Sequence, residues 1–106
     1  MPNLRVEGFE WDAGNRAKCQ KHGVSLAEIE EVFRHAPRVA PDLRHSAGED
    51  RLIAVGRTTK GRPVFVAFTL RTKQGRQVIR PVSARYMHAK EVASYEKEES
   101  TKAEDR

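Results

Sequence analysis

The sequence predicts an α+β domain: two short helices first, then an antiparallel sheet of four to five strands, then one C-terminal helix. Three observations carry this. Two helix-start signals, Asp12 and Ser25, stand in the first third of the chain. From Arg38 onward the apolar residues fall in short runs of Val, Ile, Phe and Thr separated by turn residues. After Met87 they thin to a single stripe on a charged segment, the pattern of a surface helix.

Each element has a local cause. "LRVEGFEW", residues 4–11, alternates and reads as a short opening strand. Asp12 then sits where an N-cap belongs and Gly23 where a helix stops. The helix between them can bury only Ala13, Ala17 and Cys19, which leaves Lys18, Lys21 and His22 to solvent or a partner. Ser25 and Glu28 form a capping box for the next helix, with Val24 and Ile29 as a hydrophobic staple. Leu26, Ile29, Val32 and Phe33 give it one apolar stripe, and Pro37 ends it near His35. "RVAPDLRH", "RLIAVGRTT", "PVFVAFTL" and "QVIRPVSA" follow as four sequential strands, with KGR and KQGR as hairpin loops. "RYMHAKEVASYEKEES" closes the domain as a helix. Residues 1–96 are expected to form one domain, and 97–106 a charged tail with no apolar anchor.

A chain of 106 residues supports one modest core and no separate cofactor domain. No apolar run approaches the ~18 residues that span a bilayer, and no secretory signal is visible, so a cytoplasmic location is expected. One cysteine, Cys19, excludes an internal disulfide framework. His22, His35, His45 and His88 show no metal-ligand spacing, "GRTTKGR" is not a phosphate loop, and no nucleophile elbow is present. No cofactor and no metal are expected.

The charge is uneven. Residues 44–90 carry eleven Lys/Arg against two acidic residues, a net of +9, whereas residues 91–106 carry three against six. A segment this basic is a footprint for a polyanion; its bland alternative is a solvated basic face. Parity places Arg51, Ile53, Val55 and Arg57 on one strand face. It likewise groups Phe65, Ala67, Thr69 and Arg71, and then Ile79, Pro81, Ser83 and Arg85. Guanidinium groups gathered this way can grip phosphate bidentately, and Arg51, Arg71 and Arg80 are candidates to bind a substrate backbone. Lys, His, Arg and Glu around a basic surface suit one reaction in particular. RNA supplies its own 2′-hydroxyl nucleophile, so its cleavage needs only proton carriers and cations for the phosphorane.

"FEWD…KHGVSLAEIEEVF", "GEDRLIAVGRTTKGR", "VIRPVSAR" and the closing "KEVASYE" together resemble the BrnT family of type II toxin-antitoxin ribonucleases, over about residues 9–96. The resemblance implies a RelE-like fold and a translation-inhibiting endoribonuclease that works without metal. It implies a BrnA-like ribbon-helix-helix antitoxin, held in a complex of two and two that acts on operator DNA through the antitoxin. By position it implicates Lys21 and His22 in K-H-G, Arg57 in G-R-T and Arg85 in S-A-R. Of these an imidazole is the side chain suited to carrying a proton near neutrality, which favours His22, and Glu49 is a possible base. Arg57 and Arg85 are then expected to meet across the sheet and stabilise the phosphorane. Two other classes remain open: a non-catalytic RNA-binding or operon-regulating module, and an inactive partner that only binds an antitoxin-like protein.

Overall fold

The computed structural model describes residues 7–44 and 50–104, with side chains to residue 100. In chain order it holds α1 (Ala13–Gln20), α2 (Leu26–Arg34), β1 (Arg38–Pro41), β2 (Leu52–Arg57), β3 (Pro63–Lys73), β4 (Arg76–Tyr86) and α3 (Ala89–Glu104). The α+β architecture is the one the sequence predicts, with four strands paired antiparallel in the order β1-β2-β3-β4.

Both N-terminal helices begin where their side chains dictate. Asp12 accepts from Asn15 N at 2.9 Å while Asn15 Oδ1 accepts from Asp12 N at 2.7 Å, a reciprocal capping box. Ser25 and Glu28 form the second, at 3.1 and 3.0 Å. Asn15 does more than cap. Its Nδ2 donates to Glu10 O at 2.8 Å and to Pro81 O at 2.9 Å, and the residue is 4% exposed, so a polar side chain fastens α1 to β4. The α2 helix ends at Arg34 with His35 as its C-cap, and Ala36 turns left-handed (φ 49°) before Pro37.

The opening strand is reduced in the described residues to one parallel bridge between Phe9 and Ile79, flanked by bonds from Glu7 N to Gln77 O and Glu10 N to Ile79 O. Residues 4–6 of the expected strand lie outside the described residues, as do His45 and Glu49 between β1 and β2. Gln74 and Gly75, at φ 52° and 78°, make the tight turn from β3 to β4.

One expectation about faces is corrected. Ile79, Pro81, Ser83 and Arg85 do not share a face, because the register slips from Phe68↔Pro81 to Ala67↔Ser83 and leaves Val82 as a bulge. Ile79 and Pro81 are buried beneath the helices, as is Ala84, whereas Ser83 and Arg85 turn to the other side. Proline removes a ladder donor, so an irregularity beside Pro81 has a local cause.

The helices α1 and α2 cover one face of the sheet. Cys19, Val24, Ile29, Val32, Ala54, Val64, Val66, Phe68 and Ile79 form its core at 0–1% exposure. Phe33 meets Phe68 edge-on at 5.0 Å and Phe9 at 5.7 Å. Trp11 packs partly buried against this core and donates its indole N–H to Glu30 at 2.9 Å. The opposite face belongs to α3, which runs through Glu104 and so takes in eight residues of the segment read from sequence as a tail. Few backbone atoms of α3 approach the sheet closely; side chains hold it.

Candidate functional site

On the sheet face turned away from α1 and α2 a cleft of about 300 Å³ is lined by His22, Asp42, Arg51, Ile53, Phe65, Ala67, Ser83, Ala84 and Arg85. Four elements build it. Arg51 precedes β2, Phe65 stands near the start of β3, Arg85 lies past the β4 bulge, and His22 arrives from the turn after α1. The bulge is what delivers Arg85: in unbroken alternation from Ile79 and Pro81, with Val82 paired, its side chain would point at the helices.

The Arg85 guanidinium lies over the Phe65 ring at 4.4 Å and forms a bidentate pair with Glu91 of α3 at 2.8 and 2.9 Å. The hydrogen bonds from Arg85, and then that from His88 N, hold the Glu91 carboxyl down at about 2, while the same pair raises Arg85 above its ordinary value. Arg51 Nε is buried with no hydrogen-bond partner among the described residues; Asp42 Oδ2 lies 3.7 Å from it. Asp42 closes the cleft beside it, 7% exposed, its Oδ1 accepting from Arg44 N at 3.3 Å.

Arg57 shares this sheet face but not the cleft lining. Its Nη1 donates to Gly61 O at 2.8 Å, which ties it to the β2–β3 hairpin, and its Nη2 meets Glu99 at 2.8 Å and Glu96 at 3.5 Å. The Glu99 hydrogen bond is the main reason its pKa is raised. Arg57 pairs with Pro63 and Arg85 with Phe65, so β3 separates the two arginines, roughly 10 Å across the ladder direction. Rather than facing each other, they are held by different glutamates of α3.

The other candidates spread out. Lys21 caps α1, exposed and outside the cleft lining. Arg71 and Arg80 belong to a separate cluster at the far end of the β3–β4 hairpin. There Glu10 meets Lys73 at 2.8 Å, Arg80 at 3.1 Å and Arg71 at 3.8 Å, and Arg80 also reaches Asp12 at 2.8 Å. Lys73, then Arg80 and Arg71, keep Glu10 below the usual carboxylate range. Of the seven residues singled out from sequence, His22, Arg51 and Arg85 are brought together.

Sequence reasoning missed Phe65 and Asp42 in the cleft, and Arg38, which pairs with Glu98 on the same face. It also missed Tyr86, whose hydroxyl donates to Glu28 at 2.7 Å beneath the Arg62 guanidinium at 3.4 Å. That hydrogen bond is the main reason the Tyr86 pKa is raised. A signal existed for Phe65, which alternates in register with Ala67 on a strand carrying charge at its end; Asp42 offered none.

A family model described as "Ribonuclease toxin, BrnT, of type II toxin-antitoxin system" matches residues 11–91. The chain belongs to the BrnT family. No curated relative matches it. Membership makes it a ribonuclease toxin of a type II toxin-antitoxin system, with RNA as substrate and a protein antitoxin as partner. The matched BrnT region runs from Trp11 to Glu91 and so contains His22, Arg51, Arg57, Arg85 and the glutamate that holds Arg85. Among the described residues no helix is long and apolar enough to cross a membrane.

Proposed function

We propose that this BrnT-family chain is an endoribonuclease that cleaves RNA without a metal ion, by attack of the 2′-hydroxyl on the adjacent phosphate. The reading rests on one observation above the others: His22, Arg51 and Arg85 converge on a single cleft floored by Phe65. In this reading the 2′-O–P bond forms as the P–O5′ bond breaks, giving a 2′,3′-cyclic phosphate and a 5′-hydroxyl. One proton leaves the 2′-oxygen and one reaches the 5′-oxygen. Imidazole is the side chain suited to carrying such a proton near neutrality, which gives His22 that role. Arg51 and Arg85 stabilise the extra charge of the phosphorane, and Phe65 offers an aromatic surface against which a base can stack.

Cleavage of cellular RNA would inhibit translation, and a cognate antitoxin would neutralise the toxin. A ribbon-helix-helix antitoxin in a complex of two and two, binding operator DNA, fits the family reading and is part of this proposal; so is a cytoplasmic location. The test is single-turnover cleavage of total RNA by purified protein in EDTA. Cleavage that survives chelation and is lost in Arg85→Ala supports the reading. Tight binding of intact RNA by a folded parent protein would instead favour a non-catalytic RNA-binding module.

A further inference from the structure

The register aligns Arg38, Val55, Phe65 and Arg85 in one line across all four strands, with Arg57 one pleat repeat beyond Val55. An arginine therefore stands at each end of a row whose middle is apolar. The α3 helix crosses this row. Glu91, Tyr95 and Glu98 fall at i, i+4 and i+7, one face of a helix. Glu91 takes Arg85, Glu98 takes Arg38, and Glu96 and Glu99 take Arg57. The Tyr95 ring lies against two guanidiniums, 4.7 Å from Arg38 and 5.3 Å from Arg57. Seven helical residues rise about 10 Å, and three strand spacings cover about 14 Å, so side chains alone bridge the difference.

Among the described residues, α3 contributes none to the buried core. A groove of about 660 Å³ remains between it and the sheet, lined by Val39, Ile53, Val55, Phe65, Met87 and Tyr95 among others. The carboxylates that fasten the helix are 31–58% exposed. Exposed ion pairs contribute little and are screened by salt, so a helix held this way can leave if another anion takes its arginines. A phosphodiester presents the same paired oxygens as a carboxylate to a guanidinium fork.

Resting on the ribonuclease reading, we propose that Arg38, Arg57 and Arg85 form a binding track for the backbone phosphates of single-stranded RNA, and that α3 is the acidic occupant RNA must displace. Glu91, Glu98 and Glu99 stand where phosphates lie in the complex. Arg38 becomes a substrate-binding residue, at the end of the row farthest from the His22 cleft. Tyr95, released with α3, uncovers Val55 and Phe65 for the bases.

The test uses the full chain and a short single-stranded oligonucleotide methylated at every 2′-oxygen, which removes the nucleophile. Hydrogen exchange of the α3 amides should accelerate at least fivefold on saturation, while the β3 amides hold. A double-mutant cycle supplies the second readout and separates competition from long-range charge. Glu98→Gln should tighten oligonucleotide binding about threefold or more in the parent, because Arg38 is freed, and by less than about 1.5-fold in an Arg38→Ala background. Equal gains in the two backgrounds, or unchanged α3 exchange in a saturated complex, overturn the competition. Absence of binding by a parent protein that still cleaves unmodified RNA in EDTA overturns the track alone; absence of that cleavage as well overturns the metal-free reading, and this inference with it.

Discussion

Arg85 and Glu91 meet through both ends of their charged groups, Nη1 to Oε1 at 2.8 Å and Nη2 to Oε2 at 2.9 Å. The pair joins the cleft to α3, and it carries a pH signature. With its folded pKa depressed to about 2 from an ordinary value of 4.5, Glu91 contributes stability that is fully present above about pH 4.5 and is lost as the pH falls towards about 2. Its side chain is 31% exposed, so solvent screening keeps the contribution small. The Glu91 carboxyl carbon, followed by NMR, should titrate near 2 in the parent and return towards the ordinary range in Arg85→Ala. A midpoint near 4 in the parent would remove the pair from solution.

Asn15 gives a stability prediction. Its amide donates to two main-chain carbonyls from different elements, Glu10 and Pro81, in a site that is 4% exposed. Asn15→Ala strands both acceptors and also breaks the Asp12 capping box, a loss on the order of 2–3 kcal/mol. For a domain of this size that corresponds to a melting temperature lower by roughly 10–20 °C. Asn15→Asp should fare no better, since a carboxylate cannot donate to either carbonyl. Thermal denaturation by circular dichroism measures both.

Asn15 also shows what the sequence could and could not tell. The Asp12 N-cap was legible, whereas the part Asn15 plays in its capping box was not read, and that the same side chain reaches Pro81 requires knowing where β4 lies. The strands were legible because Val, Ile and Phe alternate over lengths that only a sheet accommodates. Their faces were legible except across the bulge, and there Pro81 was the signal, since proline inside a strand marks an edge or an irregularity. The docking of α3 left only a trace, the net +9 of residues 44–90 against the acidic excess of residues 91–106. Charge totals show that opposite surfaces exist and not which residues pair. Arg38, outside the basic segment, had no local feature to distinguish it from a strand-end residue.

Gly56 tests the packing of β2 under α2. A Cβ built there would stand 3.1 Å from both Val32 Cγ1 and Pro37 Cβ. Neither can withdraw freely, because Val32 is fully buried and Pro37 is fixed by its ring. Gly56→Ala should therefore destabilise the domain by about 1–3 kcal/mol despite the intrinsic preference for alanine over glycine in a strand. Urea denaturation with an unchanged m-value and a lower midpoint is the expected result; a raised midpoint would show the space to be open.

Cys19 is a reporter of folding. Burial pushes its thiol up to about 11, with Arg80 offsetting only part of the effect, and the side chain is fully buried. Thiolate is the reactive form, so alkylation by iodoacetamide at neutral pH should be slow in the folded protein and limited by opening of the α1–β4 contact. Adding denaturant, or introducing Asn15→Ala, should accelerate labelling. Fast labelling of the folded parent would contradict the burial.

The division between the two basic clusters gives the last prediction. Arg51 and Arg85 line the cleft, where they can act on a phosphorane, whereas Arg71 sits across the sheet beside Glu10, where it can act only on the length of a bound strand. The distinction is kinetic. An interaction made only in the transition state lowers the rate constant of the bound complex, while one made equally in ground and transition states changes affinity alone. Arg51→Ala and Arg85→Ala should each lower single-turnover cleavage at saturating protein by about a hundredfold, near 3 kcal/mol. Arg85→Lys should recover little, because an ammonium cannot reproduce the fork. Arg71→Ala should leave the saturated rate within about twofold and weaken binding. It should also reduce the slope of log affinity against log salt by roughly 0.7 if its guanidinium neutralises one phosphate of a single strand. A hundredfold fall in the saturated rate of Arg71→Ala, with Arg51→Ala unaffected, would move the reacting phosphate to the Glu10 end of the sheet.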